Sequence, residues 1–258
     1  MKTEMLIKGN YIVIDTEGLG LNDIKNKVYG KQLSYHTGYG VFAPDGTLLK
    51  SGNFITKEIY RDIKLMQTAY FYDKLDEYNQ MLIEKIATER LYRNIINQLK
   101  KDIKEYNVIG LFAYNCNYDI VGICETAQKY LNKNFKLNFE TTKNKKHKPL
   151  FEKMLKEILN TNIEMYDIMT MACMSICQDK EYLNTVEYTA KGNPKTTAEA
   201  VYRYISGNNS FIEEHTAYED SIIENKILQE CFKRGIKPQK QVYFPYRLIP
   251  KELYKEVA

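Results

Sequence analysis

At 258 residues, with 44% hydrophobic and 27% charged side chains, the chain has the composition of an ordinary globular protein and enough length to bury a substantial core. No run of about 18 apolar residues occurs and no long apolar segment follows Met1-Lys2-Thr3-Glu4, so no spanning helix or secretory leader is expected, and the expected address is cytoplasmic. The net charge of +4 permits a polyanionic partner without identifying one, and with 22 tyrosines and no tryptophan any stacking surface must be built from Tyr or Phe. The five cysteines, Cys116, Cys124, Cys173, Cys177 and Cys231, form no Cys-x-x-Cys pair and sit in apolar or helical patterns, so reduced core cysteines are expected.

In chain order, Tyr11 to Ile14 reads as a buried strand that runs into Asp15-Thr16-Glu17. Asp15 and Glu17 are two apart and leave extended backbone on one face, where both can bind one cation; alone, they also suit the start of a solvated loop. Gly18 to Lys27 reads as a loop. Lys31 to Ala43 and Leu48 to Thr56 form a hairpin across the Pro44-Asp45-Gly46-Thr47 turn. From Tyr60 to about Tyr106 the three-and-four spacing of Leu82, Ile83, Ile86, Ile95, Leu99 and Ile103 predicts two helices with a break near Asp73 to Tyr78. Asn107 to Tyr114 is a second buried strand, followed by Asn115-Cys116-Asn117-Tyr118-Asp119 and a helix.

The segment 132–160 reads as an exposed, lysine-rich insertion with a helix carrying Phe151, Met154, Leu155, Ile158 and Leu159. Lys143 to Lys148 suits a solvated loop or contact with backbone phosphates. Ile163 to Asp167 is a strand, with Asp167 capping a helix from Ile168. Residues 179–195 read as loop, Thr196 or Thr197 as the cap of a helix reaching Ile205, and the last helix runs from near Thr216 to Phe232. One domain over residues 1–236 is expected, followed by an extended tail over 237–258. His36 and His147 suit structural or solvated positions.

Three acidic sites thus lie where strands end or helices begin: Asp15 with Glu17, Asp119, and Asp220 preceded by His215. Four carboxylates suit a pair of hard divalent cations, and such a pair can activate water and stabilise the leaving oxygen of a phosphodiester. Positions five apart on a helix point about 140° apart, so if His215 and Asp220 are to face one site, His215 is expected in the loop before the helix that carries Asp220.

The order of these motifs resembles the DEDDh group of 3′-to-5′ exonucleases, the superfamily of polymerase proofreading subunits, ribonuclease T and oligoribonuclease. Its Asp-x-Glu strand end is matched by Asp15-Thr16-Glu17. Its Asn four residues before an aromatic-preceded Asp is matched by Asn115, Tyr118 and Asp119, and its His-x-Ala-x-x-Asp by His215-Thr216-Ala217-Tyr218-Glu219-Asp220. The resemblance implies an α/β, ribonuclease H-like fold with a mixed central β-sheet flanked by helices. It implies that Asp15, Glu17, Asp119 and Asp220 hold two divalent cations, Mg²⁺ or Mn²⁺, with His215 as general base.

Thr16, Gly18, Leu19, Asn115 and Tyr118 are the implied substrate contacts, although Asn115 equally suits bonding within its own turn, and Tyr114 suits either the terminal base or the core. The implied activity is release of nucleoside 5′-monophosphates from single-stranded DNA or RNA 3′ ends. The motifs together with Tyr188 to Ile205 also resemble bacteriophage-encoded members. Gly18-Leu19-Gly20, where many relatives have threonine, and Tyr118 in place of phenylalanine depart from the pattern. A phosphodiesterase for short or cyclic oligonucleotides, a non-catalytic nucleic-acid-binding module and a homodimeric state stay open at this stage.

Overall fold

The computed structural model describes residues 6–19, 22–23, 28–29, 32–131 and 148–254. In chain order the strands and α-helices are β1 (Tyr11–Gly18), β2 (Asn22–Asp23), β3 (Val28–Tyr29), β4 (Ser34–Phe42), β5 (Leu48–Thr56), α1 (Lys57–Tyr60), α2 (Ile63–Met66), α3 (Leu75–Ile83), β6 (Thr88–Arg90), α4 (Tyr92–Glu105), β7 (Gly110–Ala113), α5 (Asn117–Tyr130), α6 (Lys148–Leu159), β8 (Glu164–Asp167), α7 (Ile168–Cys173), α8 (Lys180–Thr185), α9 (Ala198–Ser206) and α10 (Ala217–Lys233). Six strands form a mixed sheet in the order β6-β5-β4-β1-β7-β8, with β1, β4 and β5 antiparallel and β7 and β8 parallel to β1.

Alternation along β1 divides the core. Ile12 and Ile14 pack with α4, α5 and α6 on one face, whereas Tyr11 and Val13 pack with α7, α9 and α10 on the other. A third cluster, of Leu19, Leu33, Tyr35, Ile55, Ile59, Met66 and Tyr78, fills the space beneath α1 to α3. The helices form where the apolar spacing calls for them: α4 buries Ile95, Ile96, Leu99 and Ile103, and α10 buries Ile223, Ile227 and Cys231. Asp167 caps α7 by accepting from the Thr170 amide at 2.8 Å, and Thr197 caps α9, which Gly207 ends in the left-handed conformation. All five cysteines are buried, as core residues. Among the described residues no helix is long and apolar enough to cross a membrane.

Several elements differ from the sequence reading. β1 does not stop at the carboxylates but continues through them to Gly18, because β4 pairs with it along that whole length. The break expected near Asp73 to Tyr78 is instead helical, a 3₁₀ turn at Tyr72–Lys74 leading into α3. The real interruption is β6, a three-residue strand on β5, too short to carry a period-two signal. Within 179–195, α8 buries Tyr182 and Leu183.

The half of the 132–160 segment that is described is α6, whose Phe151, Met154, Leu155, Ile158 and Leu159 are buried in the main core. The loop part of the lysine run, with His147, lies outside the described residues. Within the tail are 3₁₀ turns at Pro245–Leu248 and Lys251–Leu253, and Pro245, Ile249 and Tyr254 are buried.

Gly38 on β4 sits opposite Asp15 and sets how closely α10 approaches the sheet. A Cβ there would lie 2.1 Å from the Tyr218 amide nitrogen and 2.2 Å from the Ala217 carbonyl carbon, both backbone atoms of α10. Gly38→Ala should therefore destabilise the fold by about 1 to 3 kcal/mol, read as a lower urea midpoint, since overpacking against backbone has no flexible group to yield. An unchanged midpoint would show that α10 is free to move off the sheet.

Candidate active site

The site forms where β1 loses one neighbour. β7 pairs with β1 only over Tyr11 to Val13, then turns away at Tyr114 and Asn115 into α5. Beyond Val13, β1 is paired on the β4 side alone, and the open side faces a cavity of about 830 Å³. This is the crevice that an open α/β sheet offers at the carboxyl ends of its strands. Asp15 and Glu17 share the face of Tyr11 and Val13, toward α10, while Thr16 turns to the opposite face and donates to Asp119 Oδ1 at 3.0 Å.

The structure brings most of the expected residues together. Asp15, Thr16, Glu17, Asn115, Tyr118, His215 and Asp220 all line the cavity. One ligand atom each from Glu17, His215 and Asp220 lie within 4.8 Å of one another. Asp119 is buried at the start of α5 and joins the cluster through Thr16. Two expected contacts are placed elsewhere. Leu19, 2% exposed, belongs to the cluster beneath α1 to α3, because its bridge to Ala69 turns it inward. Gly18 lies beneath Tyr118, whose hydroxyl would be 2.6 Å from a Cβ at that position, so the glycine makes room for the ring.

Two carboxylates escaped the sequence reading. Glu224, 3% exposed, is one helical turn beyond Asp220 and accepts from the Tyr114 amide at 3.2 Å. Its i,i+4 spacing from Asp220 is the signal that could have found it. Glu213, two residues before His215, lines the cavity and places its Oε2 3.9 Å from His215 Nδ1.

His215 occupies the loop before α10, as expected, with a left-handed φ of 53°. Three contacts from the Phe71 to Tyr78 region hold that loop. Phe71 stacks on the imidazole at 4.3 Å and 11°, the Tyr78 hydroxyl donates to the His215 carbonyl at 2.9 Å, and Lys74 Nζ donates to the Glu214 carbonyl at 2.6 Å. His36 is structural: it is fully buried, accepts the Ala217 amide at 3.3 Å on Nδ1 and meets Asn53 Oδ1 at 2.6 Å through Nε2, so it anchors the start of α10. Asn115, in left-handed backbone at φ 58°, accepts from Gln241 Nε2 at 2.6 Å while still lining the cavity.

Electrostatically the site is a concentration of like charge out of water. Burial, and then the charge of Glu213, pushes Asp15 up to about 7. Burial and then Asp15 hold Glu17, Asp119, Asp220 and Glu224 well above the usual carboxylate range. Burial, followed by Glu199, raises Glu213 to about 7. Among the described residues no lysine or arginine pairs with Asp15, Glu17, Asp119 or Asp220. Asp15 Oδ2 and Asp220 Oδ1 are buried without a hydrogen-bond partner. Burial, and then Lys74, lowers the pKa of His215 and favours its neutral imidazole.

No family model and no curated protein matches the sequence. Solved structures do match the fold. Exonuclease I from Methylocaldum szegediense superposes with a TM-score of 0.54 at 12% identity, over 88% of this chain and 41% of that one. A 3′-exonuclease solved for 3′-end specific recognition of a histone mRNA stem-loop gives 0.55 at 9% identity, over 95% of this chain and 72% of that one. E. coli exonuclease I in complex with a dT13 oligonucleotide gives 0.52 at 9% identity, over 86% and 41%. The chain therefore spans less than half the length of these exonuclease I chains. What it shares with all three is architecture alone: an α/β fold with a mixed six-stranded sheet flanked by helices.

Proposed function

We propose that the cavity is the active site of a metal-dependent 3′-to-5′ exonuclease acting on single-stranded DNA or RNA. The observation that carries this reading is the buried trio Glu17, Asp119 and Asp220 beside a half-buried Asp15, with buried, unpartnered oxygens on Asp15 and Asp220 among the described residues and a neutral-leaning His215 within 4.8 Å of Glu17 and Asp220. Such a set is costly to ionise without compensating positive charge. Hard carboxylate oxygens fit Mg²⁺ or Mn²⁺, and two such ions held by these four residues would supply Lewis acidity at the scissile phosphate.

The chain's own groups account for the rest of the chemistry. His215 takes the proton of the attacking water; its lowered pKa keeps it unprotonated at neutral pH, and Phe71 holds the plane of its ring. Water attacks phosphorus and the P–O3′ bond breaks, releasing a nucleoside 5′-monophosphate, while the O3′ of the shortened strand takes a proton from solvent and becomes its new 3′-hydroxyl. Glu213 beside Nδ1 compensates the imidazolium that results. Glu224 fixes the turn at Tyr114 and thereby the entry of α5, which carries Asp119.

Asp15→Asn and Asp220→Asn should each reduce Mg²⁺-dependent digestion of a 5′-labelled oligonucleotide to background, and His215→Ala should lower kcat by about 10² to 10⁴-fold, the usual worth of a general base. Full activity of either Asn variant, or undiminished wild-type activity in excess EDTA, would overturn the mechanism. Parallel DNA and RNA substrates assign the preferred sugar.

The raised carboxylates also set a pH dependence of stability. In the unfolded chain they titrate at about 4, whereas in the fold Asp15 and Glu213 titrate at about 7 and Glu17, Asp119, Asp220 and Glu224 well above the usual range. The folded state thus binds more protons, and this contribution to stability, full below pH 4 or so, is lost as pH rises through the folded values. In EDTA the Tm should fall between about pH 5 and pH 8, Mg²⁺ or Mn²⁺ should restore more at pH 8 than at pH 5, and Asp220→Asn should flatten the slope. A Tm in EDTA that does not fall over this range would contradict the buried cluster.

A further inference from the structure

The C-terminal segment keeps aromatic rings exposed at the rim of the cavity. Tyr243 is 66% exposed and Phe244 37%, with ring centroids 3.8 Å apart, and Phe244 lies 5.8 Å from Tyr246. The Arg247 guanidinium sits 4.5 Å from the Phe244 ring centre and is itself exposed. Tyr246 lines the same cavity as Asp15, Glu17 and His215. Phe244 has a left-handed backbone, φ 60° and ψ 71°, which a bulky side chain rarely adopts.

The run is anchored on both sides. Before it, the Gln239 carbonyl accepts the Asp167 amide at 2.8 Å, Gln241 bridges Asn115 Oδ1 at 2.6 Å and the Asn117 amide at 2.8 Å, and the Val242 amide meets Thr170 Oγ1 at 3.3 Å. After it, the Leu248 carbonyl accepts from Gln178 Nε2 at 3.2 Å, and Ile249 is buried. The rings are therefore held outward by a fixed backbone.

From this arrangement we propose that Tyr243, Phe244, Tyr246 and Arg247 form a stacking subsite for the bases of a single strand upstream of its 3′ end. The assignment rests on the exonuclease reading of the adjoining site. Continuity with the cavity supports it, because Tyr246 belongs to both surfaces and Gln241 ties the segment to Asn115 at the cavity wall. Charge supports it too: the cavity floor is acidic and suits only the scissile end, whereas the exposed Arg247 and Lys191 on the cavity wall suit backbone phosphates. Every base has a π-face, so a Tyr and Phe platform with an adjacent guanidinium holds single strands without reading their sequence.

The test uses the full chain in EDTA, with fluorescein-labelled dT20 and an abasic 20-mer that keeps the phosphates. Tyr243→Ala should weaken dT20 about tenfold, within the range expected for one stacked base, and leave the abasic strand unaffected. Tyr243→Phe should bind dT20 as the wild type does, and Arg247→Ala should weaken both strands. Because the chain has no tryptophan, Tyr243→Trp supplies a lone reporter whose emission should be quenched by dT20 and not by the abasic strand.

Equal dT20 binding by wild type and Tyr243→Ala, equal loss for both strands, or no quenching of Tyr243→Trp would overturn the subsite and leave these rings to a protein partner. A wild type that digests oligonucleotides while Tyr243→Ala binds dT20 normally would sink the subsite alone. Loss of dT20 binding in Tyr243→Ala with a wild type that never cleaves would sink the exonuclease reading and keep the subsite.

Discussion

The cost of holding several carboxylates together out of water governs how this protein is built around the end of β1. Burial raises the pKa values of Asp15, Glu17, Asp119, Glu213, Asp220 and Glu224, and the neighbouring charge of Asp15 raises Glu17, Asp119, Asp220 and Glu224 further. A cluster of this kind persists only if the surrounding packing over-determines it, because each side chain is more stable apart from the others. The packing does so from both faces of the sheet. β1 carries Asp15 and Glu17 toward α10, Thr16 reaches through to α5 and Asp119, and Gly38 lets the α10 backbone close on the strand that bears the acids.

Three left-handed residues lie around the site: Asn115 turns the chain from β7 into α5, His215 turns it into α10, and Phe244 turns the C-terminal segment. The first two are fixed by contacts from distant parts of the chain, Gln241 on Asn115, and Phe71 and Tyr78 on His215. The region between β5 and β6 consequently has a specific use. Its Phe71, Lys74 and Tyr78 hold the His215 loop, and Tyr78 in turn bonds Tyr35 of β4 at 3.1 Å, which couples that loop to the central hairpin. Stacked on Phe71 and set beside Glu213, the His215 imidazole has its plane fixed and a carboxylate 3.9 Å from Nδ1.

Around this centre the remaining elements act as walls. α6 and α5 close one face, α9 and the 189–197 loop line the cavity opposite the acids, and the C-terminal segment bridges the turn after β7. The cavity thus has carboxylates on its β1 and α10 side, with lysines and aromatic rings such as Lys191 and Tyr246 elsewhere in its lining.

Much of this was legible in the chain of letters. The β-branched run before Asp15, the hairpin across Pro44 to Thr47, the three-and-four spacing of α4 and α10, and the caps at Asp167 and Thr197 are local features, and local preference agreed with the fold. The grouping of Asp15, Glu17, His215 and Asp220 was implied by the resemblance in motif order, and the placement of His215 outside the helix by helical geometry once both His215 and Asp220 were expected at one site. The extent of β1, the three-residue β6, the inward turn of Leu19 and the docking of the tail depended on partners far away in sequence. So did Glu213 and Glu224, which look like surface acids until α10 is seen to press on the sheet. Short-range chemistry determined which residues could bind cations and move a proton, and only long-range packing decided how deeply they are buried, what holds them and what surrounds them.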